Sequence, residues 1–389
     1  MITIIEAYTI ITRTVQPLCT GNVNLNAAAG RTLAQDVLSD MDMPPFNKSA
    51  VDGYACRRED LDKPLKVIEM IPAGYFPKEK IVAGTCSKIM TGAKVPDGAS
   101  CVVMVEQTKE ENGYMHFSGT TSSNFALQGE DAIKGQKLLQ SGTLIRPQHI
   151  AVMASAGCTQ PLVYKQPSIA IFATGNELVE PSAIPGPGQI RNSNGYQTLS
   201  QCLKAGFNAV YSGIIPDDPD LTFRTLSDAT DKYDVVILSG GVSMGDLDFI
   251  PSVMKKLGFR ILFDSLAVQP GKPTTLAEKD NKYILGLPGN PVSSLVQFNL
   301  IGKKLIYQLS GFDYLWDSYP LKMAHSYVRK KTERTGFVPV TLNENSEIEL
   351  LKYNGSAHIQ ALPVATGFLM VNEGTSGIKQ GEYGTYRPL

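Results

Sequence analysis

The sequence lacks the residue arrangements that most often mark catalysis or metal binding. Its six cysteines are dispersed with no CxxC pair, which argues against a zinc ribbon or a thioredoxin-like motif and predicts reduced thiols in a cytoplasmic protein. Its four histidines are scattered and form no HExxH, and no Ser/His/Asp order can be read. There is no run of about 18 apolar residues, so no membrane-spanning helix is expected. Charge of one sign is lacking too. With 36 Lys and Arg against 37 Asp and Glu the formal charge is −1, which leaves no global field to attract nucleic acid or an anionic membrane. Any anion site must be local. The amino-terminal stretch MITIIEAYTIITRTVQPL carries Glu6 and Arg13 but neither a basic leader nor a small-residue cleavage site, so it reads as a folded first helix.

What the sequence does contain is ordered in blocks. The length of 389 residues suits two to three domains of ~150 residues. Residues 1–40 and 145–160 read as helical, and between them lies a stretch rich in Val, Ile, Gly and Pro with short strand-like runs. From 167 onward strands and helices alternate: PSIAIFATGNEL, GYQTLSQCLKAGF, NAVYSGIIPDDP, LTFRTLSDAT, YDVVILSGG, FIPSVMKKLG, and YILGLPGNP entering VSSLVQFNLIGKKLIYQL. Asn192 to Asn194 would cap the first of these helices, and Pro291 sits at a helix start. Such alternation predicts a doubly wound α/β domain on a parallel sheet. After about 318, short runs separated by Gly, Asn and Ser predict a small β-barrel or sandwich.

Ligands of an open parallel sheet bind outside the carboxyl ends of its strands. Four of these strand ends carry unusual chemistry: Glu177 in TGNEL, Asp217 and Asp218 in PDDP, Ser243, Asp246 and Asp248 in SGGVSMGDLD, and Gly289 with Ser293 in LPGNPVSS. Gly240 and Gly245 have the spacing of a phosphate-binding P-loop, but Asp246 stands where that loop needs Lys, so this is not an ATPase loop. Glycines such as Gly240, Gly241 and Gly245 let backbone N–H groups approach phosphate oxygens. Carboxylates beside a phosphate require a cation between them, and Mg²⁺ is the hard ion that bridges such a pair. Lys272, in a Pro-Gly-Lys-Pro turn, is a rigidly presented cation for an anion.

With these loops assembled, the chain resembles the molybdopterin molybdenumtransferase family, whose animal relative is the E domain of gephyrin. The resemblance rests on PPFNKSAVDGYA, IMTGAKVPDGASCVVMVEQ, GEDAIKGQKLL, TGNEL, IRNSN, GIIPDDP, SGGVSMGDLDF, QPGKPTT and LPGNPVSS, in that order. It implies a multidomain subunit: a helical segment from 1–42 and 130–165, an inserted β-rich domain over 43–129, an α/β molybdopterin-binding domain over 166–312 and a C-terminal β-barrel over 318–389. It also implies a homodimer with a site shared between subunits. The reaction would be insertion of molybdenum from molybdate into adenylylated molybdopterin, with Mg²⁺-dependent release of AMP. A pterin-delivering adenylyltransferase and acceptor molybdoenzymes would be its partners.

Residue by residue, Asp52 and Thr91 match positions that the inserted domain supplies to the site. Asp131 matches a further acidic position, read as structural. Glu177, Asp217 and Asp248 match the acidic positions of the α/β domain, with Glu177 and Asp248 expected on the metal. Lys272, Ser293 and Ser356 match the molybdate site. Four positions that are often basic in the family are not basic here: Ala126, Ser265, Gln269 and Pro339. Either the missing charge comes from elsewhere, with Lys48, Lys94 or Arg191 as candidates, or the affinity for molybdate is lowered; the intact acidic and glycine motifs favour the first. Two other readings are a nucleotide or pyrophosphate hydrolase of the competence-damage type, against which the VDGYA and MTGAKVP insert counts, and a non-enzymatic scaffold, which would not need Asp52, Glu177 and Asp248 together.

Overall fold

The first helix begins where the sequence supplies its caps. Thr3 Oγ1 accepts from the Glu6 N–H and the Glu6 carboxylate accepts from the Thr3 N–H, a capping box that opens α1 (Ile4–Thr14) in the computed structural model. The structure describes residues 1–241 and 249–389. Helical character expected over 1–40 is confined to α1 and one short turn at Leu25–Ala27, and that over 145–160 to α2 (Pro147–Ser155). Pro17 and Gly21 interrupt the run, and Thr20–Asn22 and Val37–Leu38 pair as short strands with Leu162–Tyr164 and Lys137–Leu139.

Within 43–129 the chain forms β1 (Gly53–Cys56), β2 (Leu65–Ile71), β3 (Thr85–Ile89), β4 (Cys101–Met104), β5 (Thr108–Glu111) and β6 (Tyr114–Phe117), ordered β4-β1-β3-β2-β6-β5. Alternate side chains build a separate core on each face. Tyr54, Cys56, Cys86, Cys101 and Val103 pack on one, and Ala55, Ile89 and Val102 on the other. Gly53, of VDGYA, is pressed against the Val103 carbonyl with no room for a Cβ.

The central sheet contains β7 (Ile169–Thr174), β8 (Ala209–Ile215), β9 (Val235–Ser239), β10 (Arg260–Ser265), β11 (Pro273–Lys279) and β12 (Lys282–Leu287), ordered β8-β7-β9-β12-β11-β10. The first four are parallel as expected, but β11 runs antiparallel to both of its neighbours, β12 and β10, so the sheet is mixed. The cause is local: Asp280 and Asn281 have φ of 52° and 59°, which makes a two-residue hairpin between β11 and β12. Ile169, Ile171, Val235, Ile237 and Leu285 face one core with α1, α3 (Asn194–Lys204), α6 (Pro291–Gln297) and α7 (Lys303–Leu309). Ala170, Phe172, Val236, Leu238 and Ile284 face the other, with α4 (Pro219–Lys232) and α5 (Ile250–Lys256). Helices therefore cover both faces.

The last strands are β13 (Tyr319–Lys322), β14 (Thr335–Leu342), β15 (Ile348–Leu350), β16 (Gly367–Val371) and β17 (Tyr383–Pro388). They curl into a half-barrel, ordered β14-β16-β17-β13, whose edges meet at a bridge between Met323 and Ile348. The other edge of β14 is shared by Val268–Gln269 at Thr335–Gly336 and by β15 at Val340–Leu342. Pro339 stands in the stretch between these two partners, where an open edge tolerates a residue without a donor. Trp316 stacks on Phe337 and meets Phe368 edge-on, which joins the face of the half-barrel turned away from its own core of Met323, Val340, Ile348, Leu369 and Val371 to the core of the central sheet.

Candidate functional site

The carboxyl ends of β7, β8, β9 and β12 open onto one cavity of about 810 Å³. Glu177 reaches it from the β7 loop and Asp217 from the β8 loop; Ser239, Gly240 and Gly241 line it from β9, and Gly289 from β12. The Asn176 N–H donates to Asp217 Oδ2 at 3.1 Å and the Asp217 N–H to Asn176 Oδ1 at 3.0 Å, so the β7 and β8 loops are laced together. Asp218 is spent elsewhere: it caps α4, accepting from the N–H groups of Asp220 and Leu221 at 2.9 Å. The carboxylate of Glu177 folds back over Gly175, where a Cβ would meet it. Gly240, at φ +105°, lies so close to β7 that a Cβ would stand 2.7 Å from the Thr174 carbonyl oxygen.

Asn194, which the sequence marks only as part of a helix cap, lines the first cavity. Its Nδ2 donates to Ser239 Oγ at 2.8 Å and to the Gly289 carbonyl at 2.7 Å, tying the β9 and β12 ends together. The capping contact is made by Asn192, whose Oδ1 accepts from the Gly195 N–H at 3.1 Å. Asn194 Oδ1 is buried with no partner among the described residues, a polar atom facing a polar cavity. Ser243, Gly245, Asp246 and Asp248 lie outside the described residues, so of the expected Glu177–Asp248 pair the structure places Glu177. Among the described residues no group of three metal-binding side chains comes together.

A second cavity of about 720 Å³ adjoins the first, with Pro273, Pro288 and Asn290 lining both. It brings together Lys272, Ser293 and Ser356. Ser356 is seated by its carbonyl, which accepts from the Val292 N–H at 3.1 Å, and by its Oγ, which accepts from Asn290 Nδ2 at 3.1 Å. Gln269 lines this cavity, as do Arg329, Lys330, Lys331 and Arg334, cations that the sequence reading did not single out. The run YVRKKTERTG was the available signal, and it reads as an ordinary solvated charge cluster. Of the three cations expected to compensate for the non-basic positions, Arg191 lines the first cavity, while Lys48 and Lys94 bridge each other in the 43–129 region, with Lys94 over the Phe76 ring.

Asp52 and Thr91 form a pair of their own. Asp52 Oδ1 accepts from the Thr91 N–H at 2.6 Å and from Thr91 Oγ1 at 2.8 Å. Those two bonds, the backbone one foremost, hold the Asp52 carboxyl below the ordinary carboxylate value. The pair lines neither cavity.

Three family descriptions match the chain in sequence: "MoeA N-terminal region (domain I and II)" over residues 2–157, "Probable molybdopterin binding domain" over 170–308 and "MoeA C-terminal region (domain IV)" over 323–384. The molybdopterin molybdenumtransferase of Bacillus subtilis is 35% identical over 381 residues, covering 92% of this chain and 87% of its own length. The protein of the same name from a Nostoc species is 36% identical over 329 residues, covering 81% and 76%. A crystal structure of the molybdopterin biosynthesis moeA protein from Pyrococcus horikoshii superimposes with a TM-score of 0.85 at 28% identity, over the whole of both chains.

Proposed function

As this chain belongs to the molybdopterin molybdenumtransferase family, a transferase family of molybdenum cofactor biosynthesis, we propose that its first cavity binds adenylylated molybdopterin and the adjoining one molybdate. The observation that carries this reading is the meeting of four strand ends. Two bring carboxylates and two bring bare glycine backbone, beside a separate chamber with Lys272, Ser293 and Ser356. The backbone at Gly240, Gly241 and Gly289 takes the phosphates, together with Ser243 and Gly245 of the same loop. Lys272 presents a cation to the oxyanion, and the hydroxyls of Ser293 and Ser356 donate to it.

Glu177 would hold Mg²⁺ together with Asp248, with Asp217 close by. The described lining fits such an ion, since it offers carboxylate oxygens and neither thiol nor imidazole. When bound, the ion neutralises phosphate charge that faces the carboxylates. Around it the chain's own residues set the geometry. Asn176 fixes Asp217 and Asn194 fixes the two glycine loops; water would add across the phosphoanhydride so that AMP leaves, and molybdate, shedding oxo groups as water with the thiol protons, would remain on the dithiolene. Asp52 and Thr91 complete the site from a second subunit; their absence from both cavities of their own chain supports a homodimer. The four-part domain division drawn from the sequence and a cytoplasmic setting, with a pterin-delivering adenylyltransferase upstream and acceptor molybdoenzymes downstream, belong to the same proposal.

The test uses purified protein with adenylylated molybdopterin, molybdate and Mg²⁺, assayed for AMP release and for reconstitution of an apo-molybdoenzyme. Glu177→Gln is expected to slow AMP release by at least about a hundredfold, since it removes a charge at the reacting phosphate. Its melting temperature should stay within about 1 °C of the parent, because Glu177 is exposed. Undiminished turnover by the variant would remove Glu177 from the chemistry. AMP release without reconstitution in the parent protein would favour the hydrolase.

A further inference from the structure

The charged residues lining the second cavity are Lys272, Arg329, Lys330, Lys331 and Arg334, with no carboxylate among the described lining residues. In a chain whose formal charge is −1, five cations around one cavity repel one another unless an anion occupies it. None of the five takes part in an ion pair among the described residues.

The five are not equivalent. Arg329 is committed to the frame: its Nε donates to the Thr375 carbonyl at 2.8 Å, Nη1 to the Arg334 carbonyl at 2.9 Å and Nη2 to the Asn372 carbonyl at 2.6 Å. Gly336 makes room for it, since a Cβ there would stand 2.7 Å from Arg329 Nη1. The segment is also pinned at both ends, by pairing of Tyr327–Val328 with Gly377–Ile378 and of Thr335–Gly336 with Val268–Gln269. The Gly374 N–H donates to the Thr332 carbonyl at 2.9 Å between them. Lys330 and Lys331 thus extend from a braced turn, and Arg334, whose Nη1 donates to the Val268 carbonyl at 3.3 Å, has further guanidinium N–H groups to offer, so closing on an anion costs little backbone entropy.

We propose that segment 329–334 is the oxyanion clamp of this chain. Lys330, Lys331 and Arg334 act with Lys272 to seat a tetrahedral dianion of the molybdate class, and Arg329 is a positioning residue that shapes the segment. This rests on reading the second cavity as the molybdate chamber. Two lysine ammonium groups supply mobile point charges, while the Arg334 guanidinium supplies a planar fork. The clamp stands in for the positive charge that Ser265, Gln269 and Pro339 do not provide.

The experiment is direct calorimetric titration of full-length protein with molybdate, without pterin, and separately with tungstate and sulfate. The double variant K330Q/K331Q and the single variant Arg334→Gln should each raise the Kd for molybdate about tenfold or more, as loss of charge-assisted hydrogen bonds does. In the double variant the dependence of Kd on salt should also flatten. Affinity for adenylylated molybdopterin should not change. Arg329→Lys, which keeps the charge but not the three carbonyl contacts, should weaken molybdate binding while leaving the salt dependence intact. If Lys272→Gln abolishes binding and the clamp variants bind as the parent does, the clamp is overturned and the chamber stands. A parent protein that binds no molybdate would overturn the chamber, and the clamp with it.

Discussion

At the scale of single residues, Lys303 is the clearest case of charge set against burial. Removal from water, with Lys204 nearby, pushes its ammonium down to about 8, and the ring of Tyr314 lies 6.0 Å away. Between that value and the ordinary lysine value of 10.5 the unfolded chain binds more protons than the folded one, so stability rises with pH across this window. Below about 8 the penalty is complete. Lys303→Met should therefore raise the melting temperature by about 1–3 °C at pH 7, after allowance for residual solvent contact. The gain should shrink through the window and vanish above it. A gain that does not vary with pH would show that packing, not charge, is responsible. Single residues also mark the limit of the sequence reading. That Glu177, Asp217, Gly240 and Gly289 would converge was legible, because each follows an apolar strand whose far end must face the ligand side. Asn194 was not, because an Asn at a helix start serves equally well as a cap. Lys330, Lys331 and Arg334 were not either, because adjacent charges look solvated until the half-barrel docks and turns them into a cavity wall.

At the scale of elements, what decides the site is how closely the β9 loop approaches β7. Gly240→Ala would introduce both a disfavoured φ and a contact with Thr174, a cost of about 1–3 kcal/mol, read as a lowered urea midpoint with an unchanged slope for the transition that Trp316 fluorescence reports. An unchanged midpoint would mean that the loop can retreat from β7 at no cost. The four parallel strands were legible as apolar runs ending in glycine. The antiparallel pair β10 and β11 was not: RILFDS and PTTLAEK mix charge and hydroxyls with apolar residues, as strands towards a sheet edge do. The hairpin turn Asp280–Asn281 lacks the glycine that usually announces one. The short pairings of residues 20–38 were missed because two or three residues carry no period.

At the scale of the whole molecule, the cores are unequally connected. One core runs from α1 through the central sheet to Trp316, Phe337 and Phe368 of the half-barrel, while the sheet of residues 53–117 has two cores of its own. Cores without shared contacts unfold as separate units. Calorimetry should therefore resolve at least two transitions. Trp316, the single tryptophan, is buried in the larger core, and its emission should follow one of the transitions and be silent in the other. A single transition reported equally by heat and by fluorescence would show that the cores are coupled.

The partition made by Pro273, Pro288 and Asn290 bears on traffic. Prolines carry no N–H, so this wall has little grip on either an oxyanion or a phosphate. It keeps the cationic vestibule and the carboxylate-lined one as neighbours with a common threshold, so that a guest in one need not depart for another to arrive next door. On the proposed reading of the two cavities, neither reactant would have to leave before the other arrives.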